Sequence, residues 1–480
     1  MLQLTVPENR SHPSVVAGSF RDPAGFVFEQ AGVLFRQVNE SYRADFDRAV
    51  GSGLVQALIE RQCLVKHEEV PVAGAARPGA YRLLRPERIP FVSYPFEWSF
   101  SQLRDAALLT IDVQRLALEH GMCLKDASAY NVQFLRGRPI LIDTLSFEAY
   151  EEGAPWVAYR QFCQHFLAPL ALMAKCDVRL GQLFRVFIDG VPLELASRLM
   201  PRTTWLKPAL AMHLHLHARA QRRFSNSLTP APRPAPIRRA SLLALLGHLK
   251  SAVEALRWSA AGTEWADYYS ETNYSDDAAS EKQRLVDRML QSVAPASVWD
   301  LGANTGRFSH LASSRGILTM AFDVDPAAVD RNYRECVANG NQFELPLVLD
   351  LTNPSPGFGW AGSERMSLES RGPADLIMAL ALVHHLAIAN NVPLEKIAAF
   401  LARNASHLII EFVPKSDSQV RRLLASRADV FGDYTPDGFE AAFSRHFSIE
   451  ASEPIRGSER VLYLMRRRQH PQGSASDFLE

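Results

Sequence analysis

The stretch from Val298 to Gly306, which reads V-W-D-L-G-A-N-T-G, constrains the fold of this chain more than any other. An apolar strand runs into a turn with two glycines, and a helical pattern follows the turn. Doubly wound α/β sheets use this arrangement to present backbone N–H groups to a ligand at the carboxyl ends of their strands. The sequence therefore predicts an α/β sheet with a ligand site at this turn.

The residues of the turn narrow the class of ligand. Gly302 and Gly306 do not form the G-x-G-x-x-G pattern that binds a pyrophosphate. Asp300 stands before them, and a carboxylate at that point repels phosphate and attracts a cation. The turn therefore indicates an adenosine with an amino-acid tail rather than a dinucleotide.

Strand and helix patterns alternate from about residue 297 to residue 468, as an α/β sheet requires. The second predicted strand ends at Asp323, where a carboxylate can accept hydrogen bonds from both hydroxyls of a ribose. Asp325 is the alternative residue for this role. The third strand ends at Asp350, where a carboxylate can accept a hydrogen bond from the exocyclic amine of an adenine. Both acids extend the predicted adenosine site beyond the glycine turn.

The fourth predicted strand, residues 375–381, leads into His384 and His385. A substrate would approach this edge of the sheet, and a neutral imidazole there can take a proton from it. We predict that at least one of the two histidines contacts the substrate. The alternative, a histidine that only bonds the backbone at the strand end, stays open.

Four motifs of this region together resemble the class I S-adenosylmethionine-dependent methyltransferases: D-L-G-A-N-T-G, F-D-V-D, L-D-L and D-L-I-M-A-L-A-L-V-H-H-L. The resemblance covers about residues 262–468. It implies a Rossmann-like seven-stranded sheet and S-adenosyl-L-methionine as the cofactor. It also implies that the cofactor lies against Asp300, Gly302, Ala303, Asn304, Gly306, Asp323, Val324, Asp350, Leu351, Ala379 and Leu380.

Aromatic residues and a lysine precede the sheet in sequence. Tyr269 or Tyr274 is a candidate to face the cofactor sulfonium through a cation–π contact. Lys282 is a candidate to pair with the methionine carboxylate. An amphipathic helix that only packs on the sheet is an equally good interpretation.

A second constellation lies in the N-terminal half, where Asp126, Asn131 and Asp143 are separated by a loop and a short hairpin. The spacing resembles the catalytic and metal-binding loops of protein kinases and small-molecule phosphotransferases. That resemblance implies an α+β kinase-like domain that binds ATP and Mg²⁺, with Arg36 where a phosphate-binding lysine is expected. Glycines are sparse before Arg36 and no D-F-G follows. An active kinase, an inactive nucleotide-binding module and an unrelated α+β domain therefore all stay open.

The longer strings Y-P-F-E-W-S-F-S-Q-L, L-K-D-A-S-A-Y-N-V-Q-F and Y-R-Q-F-C-Q-H-F-L-A-P-L-A-L-M, together with the motifs above, are similar to a family of bacterial proteins. This family includes a nodulation host-specificity protein described as a methyltransferase. The similarity spans nearly the whole chain and implies a transferase, but no substrate.

The proline-rich, basic stretch 219–240 predicts an extended linker. We predict a kinase-like domain before it, with a small lobe at about 15–94 and a large lobe at about 95–218. After it we predict a methyltransferase domain at 241–468, which begins with a helical segment. The last residues, 469–480, are expected to be a flexible tail.

Composition limits the partners. Lys+Arg and Asp+Glu both number 52, so charge favours neither a nucleic-acid nor a membrane partner. Five scattered cysteines, no signal-peptide pattern and no membrane-length apolar run predict a cytoplasmic protein. His213, His215 and His217 read as helical, where their spacing separates them, so no metal site is predicted. The expected acceptor is a small molecule or a carrier-bound group, and the oligomeric state is not predicted.

The sequence leaves three functions open. The first is a methyltransferase with a degenerate kinase-like domain. The second is a phosphotransferase or nucleotide sensor in the N-terminal half. The third is a non-catalytic interaction protein that keeps both folds.

Overall fold

The computed structural model describes residues 12–225, 236–259, 276–425 and 428–468. The chain divides into two compact units. The first unit takes the described residues up to Ser259 together with Pro356–Met366, and the second takes the other described residues. None of the helices in these ranges is long and apolar enough to cross a membrane.

The first unit begins with a five-stranded antiparallel sheet in the order β1-β2-β3-β5-β4. Two α-helices lie between β3 and β4, because Gly53 adopts a left-handed conformation (φ 78°) that separates them. The bounds are β1 Ser14–Val15, β2 Gly25–Gln30, β3 Val33–Asn39, α1 Arg43–Gly51, α2 Leu54–Glu60, β4 His67–Val70 and β5 Ala80–Pro86.

The rest of the first unit is mostly helical, with two short antiparallel strand pairs, β6 with β9 and β7 with β8. Its long helix, α3, begins at a capping box in which Ser99 and Gln102 bond each other's backbone N–H groups. The bounds are α3 Phe100–Glu119, β6 Met122–Leu124, β7 Val132–Leu135, β8 Arg138–Leu141, β9 Phe147–Ala149, α4 Tyr159–Phe162, α5 Ala168–Lys175, α6 Leu193–Leu199, α7 Pro208–Leu210, α8 His217–Ser225 and α9 Arg239–Ala255.

The units differ from the predicted domains at Pro356–Met366, which belongs to the first unit, and at two helices. Helix α9, predicted to open the second domain, packs against α3 of the first unit and buries Leu242, Leu246 and Leu249. Helix α8 continues to Ser225, inside the stretch predicted as an extended linker. The remaining linker residues 226–235 and the predicted tail lie outside the described residues.

The second unit has the seven-stranded sheet that the resemblance implied, in the order β12-β11-β10-β13-β14-β16-β15. Strand β16 runs antiparallel to its neighbours and the first five strands are parallel. The bounds are α10 Asp276–Val293, β10 Ser297–Leu301, α11 Ser309–Ser313, β11 Leu318–Asp323, α12 Pro326–Ala338, β12 Glu344–Val348, β13 Ala374–Ala379, α13 Leu394–Asn404, β14 Ala405–Phe412, α14 Ser418–Leu424, α15 Pro436–Ser444, β15 Phe447–Pro454 and β16 Val461–Arg467.

The parallel strands are nearly continuous apolar runs because helices cover both faces of the sheet. On one face, Leu285 and Leu290 of α10 and Phe308 join Leu376 and Ile409 of the sheet in one buried cluster. The strand order reverses between β10 and β13, which makes a topological switch point. A ligand in such a sheet binds outside the carboxyl ends of the strands at that point.

Candidate active site

The glycine turn leaves β10 at the switch point and is held against β11. The N–H groups of Gly302 and Ala303 both donate to the Phe322 carbonyl, at 2.8 and 2.9 Å. Gly302 (φ 77°), Asn304 (φ 52°) and Gly306 (φ 84°) are all left-handed, a conformation that favours glycine and asparagine. The turn that the sequence predicted is therefore present, and its backbone is fixed by the neighbouring strand.

Asp323 ends β11 beside the turn. Its carboxylate accepts the backbone N–H of Asn304 at 2.8 Å and that of Asp325 at 2.9 Å. Burial raises the pKa of Asp323 to about 6, although these backbone bonds act in the opposite direction. The neighbouring Val324 is exposed, and Asp325 caps α12 by accepting the Ala327 N–H. Of the two acids considered from the sequence, Asp323 is the one that joins the turn to the second strand.

Asp300 lies inside the sheet, beneath the turn. Its carboxylate accepts the Ser309 hydroxyl at 2.6 Å. Burial raises the pKa of Asp300 to about 7, while Ser309 and the charge of Lys282 lower it. A carboxyl group in this state can hold a proton in the absence of ligand and release it to solvent when a cationic ligand binds.

The other predicted contact residues lie at the same edge of the sheet. Strand pairing aligns Asp323 with Val348 and Asp300 with Met378, so the ends of β11, β12 and β13 are level. Asp350 follows β12, is exposed, and accepts the N–H and hydroxyl of Thr352. Leu351 is half-buried, and Ala379 and Leu380 are buried at the end of β13.

His384 and His385 follow β13, with ring centroids 4.1 Å apart. His384 is fully buried, and neither of its ring nitrogens has a hydrogen-bond partner among the described residues. Burial lowers the pKa of both imidazoles, that of His385 to about 4, and the positive charge of Arg460 adds to both shifts. Both side chains are therefore neutral at physiological pH.

Lys282 has a protein partner that the sequence did not reveal. Its ammonium lies 2.6 Å from the Glu411 carboxylate, which also faces the Arg460 guanidinium at 3.3 Å. All three side chains are buried, and burial lowers the pKa of Lys282 despite Glu411. Lys282 is therefore part of a buried ion pair with Glu411 of β14, and its pairing with a cofactor carboxylate stays a prediction. Tyr269 and Tyr274 lie outside the described residues.

In the first unit, the residues of the predicted Mg²⁺ and nucleotide site lie close together. Arg36 on β3 pairs with Asp143, and the Ser146 hydroxyl links Asp143 to the Asn131 amide, at 2.5 and 3.4 Å. Burial raises the pKa of Asp126, and the negative charge of Asp143 adds to the rise. The two acids and the Asn131 amide therefore lie close together in the first unit, although none of these residues is next to another in the sequence.

The alternating histidines are separated, as the helical interpretation predicted. His213 bonds Tyr159 and His248 at 2.7 and 2.8 Å, whereas His215 bonds Ser197 and Thr204.

In the second unit, His310, Cys336 and Glu344 are close enough to reach one ion. Asn332, Asn341 and Ser313 already donate to Glu344, and burial raises the pKa of the Cys336 thiol. These contacts favour a structural role for the trio, since a metal ligand must be deprotonated.

A scan against protein-family models found none that matches this chain. The nodulation protein NoeA of Rhizobium meliloti (strain 1021) is 36% identical over 462 residues, which cover 95% of this chain and 96% of that protein. Among solved structures, the magnesium protoporphyrin IX methyltransferase ChlM of Synechocystis PCC 6803 is 19% identical, with a TM-score of 0.30 over 42% of this chain and 93% of its own. The N-methyltransferase NodS of Bradyrhizobium japonicum WM9 is 14% identical, with a TM-score of 0.30 over 41% and 99%. Neither structural likeness is strong enough to say anything about activity.

Proposed function

The chain belongs to the family of the nodulation protein NoeA, and we propose that it is an S-adenosylmethionine-dependent methyltransferase. The proposal rests on one contact at the switch point of the sheet, where Asp323 accepts the Asn304 N–H of the glycine turn. Asp323 would accept the ribose hydroxyls, and Asp350 with Leu351 would border the adenine. Asp300 would face the cationic methionine end, and Ala379 and Leu380 would lie beneath the sulfonium.

The cofactor would supply an activated methyl group, and the protein would orient the acceptor for in-line attack. His384 and His385 are neutral and follow the end of β13, where the methyl acceptor would bind. Either imidazole could therefore accept a hydrogen bond from an O–H or N–H group of the methyl acceptor. We expect a small-molecule or carrier-bound acceptor. Metabolite profiles of a strain that lacks the gene should reveal it as a compound shifted by one methyl group.

Titration calorimetry with S-adenosylhomocysteine (SAH) tests the proposal most directly. We expect a saturable 1:1 heat with the full-length protein. No binding to a folded protein would refute the methyltransferase. Binding without turnover on any acceptor that the metabolite profiles identify would instead favour a non-catalytic interaction protein.

SAH binding should release a proton near neutral pH. In the empty site the raised pKa of Asp300, about 7, keeps much of this carboxyl protonated at pH 6.5. The ammonium of SAH favours the ionised form, so affinity should rise between pH 6 and pH 7.5, with roughly half a proton or more released per ligand at pH 6.5. Calorimetry in buffers of different ionisation enthalpy measures this number. Asp300→Asn should abolish the release, and an unchanged release in that variant would contradict the assignment.

We propose a second activity, nucleotide binding with Mg²⁺, for the first unit. The negative charge of Asp143, which adds to the raised pKa of Asp126, favours it, because two nearby carboxylates with the Asn131 amide form an oxygen-rich ligand set suited to a divalent cation. ATP with Mg²⁺ should raise the melting temperature of the wild type, and Asp143→Ala should remove the shift. Asp177→Ala, at an exposed acid of the same unit, is the matched control. A wild type with no shift would refute this activity and leave the methyltransferase untouched.

A further inference from the structure

The connection between β12 and β13 leaves the second unit and returns to it. Its middle part, Pro356–Met366, belongs to the first unit and is here termed the inserted segment. The residues on either side of it close together, since the Leu368 N–H donates to the Ser355 carbonyl at 2.8 Å. Within the segment, Phe358 and Arg365 exchange two backbone hydrogen bonds, at 3.0 and 3.3 Å. The inserted segment is therefore a closed loop with its own internal bonding.

An ion pair fixes the inserted segment within the first unit. The Nε and Nη2 atoms of the Arg21 guanidinium donate to the Glu364 carboxylate, at 2.7 and 2.9 Å. The Glu364 side chain is fully buried although that of Arg21 is half exposed. The Glu364 carboxylate also accepts the Trp360 N–H at 3.0 Å and faces the Arg365 guanidinium at 3.4 Å. Loss of Arg21 would still remove its bidentate partner from a buried site, so this pair matters more than a surface ion pair. A side chain at Gly18 would clash with the Glu364 carbonyl, at 2.4 Å, so the backbones also approach closely.

The inserted segment also contacts two tyrosines of the first unit, Tyr94 and Tyr130. The Met366 N–H donates to the Tyr94 hydroxyl at 2.7 Å, and the Phe358 ring packs edge-on against Tyr94 at 5.8 Å. The Arg365 guanidinium lies 4.7 Å from the centre of the Tyr130 ring. Tyr130 directly precedes Asn131, so the contact between Arg365 and the Tyr130 ring lies beside Asn131 in the sequence.

The other end of the same connection begins at the cofactor site. Asp350 accepts the Thr352 N–H with its side chain and the Asn353 N–H with its carbonyl, so the chain from Asp350 to Ser355 starts in a fixed turn. We infer that the Arg21–Glu364 pair positions Asp350 and Leu351, and that cofactor affinity in the second unit therefore depends on the first. The inference rests on the proposed function, because Asp350 and Leu351 are assigned to the adenine by it.

SAH calorimetry on full-length variants tests the inference. Arg21→Gln and Glu364→Gln should each weaken binding about fivefold or more, a typical coupling between sites. Arg21→Lys, which restores the charge, should recover most of the affinity. Arg403→Gln is the matched control, since it breaks the exposed Arg403–Glu369 pair just beyond the inserted segment and should leave affinity unchanged.

Hydrogen exchange on the wild type provides a test that needs no variant. SAH should slow exchange in peptides from the inserted segment and from residues 126–131, as well as around the glycine turn. Protection confined to the second unit, or equal affinities in all the variants, would overturn the inference while SAH binding itself still supported the methyltransferase. A wild type that binds no SAH would overturn both.

Discussion

Asp323→Ala should reduce SAH affinity by roughly 100-fold or more, because two hydrogen bonds to a charged group are lost. The carboxylate would accept the two ribose hydroxyls, and it already holds the Asn304 N–H of the glycine turn. The substitution therefore removes both the ribose contact and one support of the turn. Calorimetry gives the dissociation constant, and Asp323→Asn, which keeps one acceptor oxygen, should fall between the alanine variant and the wild type.

Asp325→Asn is the control for this experiment. Asp325 is equally buried and also acidic, but its carboxylate caps α12 by accepting the Ala327 N–H, which an asparagine can replace. Its SAH affinity should stay within about twofold of the wild type. If Asp323→Ala binds SAH as the wild type does, or if both variants lose binding equally, the assignment of the ribose to Asp323 is wrong.

The glycine turn illustrates what the sequence predicts well. Its position follows from an apolar strand and two glycines, both of which prove to be left-handed. Gly306 must lack a side chain because a Cβ there would lie 2.4 Å from the Asn332 amide. The sequence could not predict this reason. That contact depends on how α12 packs, and no local pattern encodes it. The same limit applies to Ser309, which bonds Asp300 across the turn.

The sequence fails to predict the unit to which two segments belong, namely α9 and the inserted segment. The apolar period of α9 predicted a helix correctly, but it could not say which unit the apolar face would cover. The inserted segment lies between two strands of one sheet, so sequence order alone assigns it to that sheet. Its position in the first unit follows instead from Glu364 and Phe358, whose partners Arg21, Tyr94 and Phe96 are far away in sequence.

The buried ion pair leaves a signal in the sequence that the predicted site did not include. Glu411 is the only charged residue in the run L-I-I-E-F of β14, and an acid in a strand covered on both faces needs a partner. A charge in such a run therefore predicts a buried cation. Which cation it is, Lys282 from α10 or Arg460 from the turn before β16, depends on the packing of both around the strand end.

Glu411→Gln should strongly destabilise the second unit. It leaves Lys282 and Arg460 buried without the carboxylate between them, and breaking a buried pair in this way costs about 3–5 kcal/mol. Lys282 can lessen the cost by losing its proton, since burial already lowers its pKa, whereas Arg460 stays charged and keeps its ion pair with Asp417. For a unit of this size the midpoint of thermal unfolding should fall by about 10 °C.

Glu453→Gln provides the comparison, because it breaks the exposed Arg288–Glu453 pair of the same unit. That substitution should change the free energy of unfolding by less than about 1 kcal/mol. Scanning calorimetry of the full-length protein measures both variants, and hydrogen exchange of β14 amides identifies the transition that belongs to the second unit. Similar midpoints for the two variants would mean that the Glu411 carboxylate contributes no net stability to the second unit.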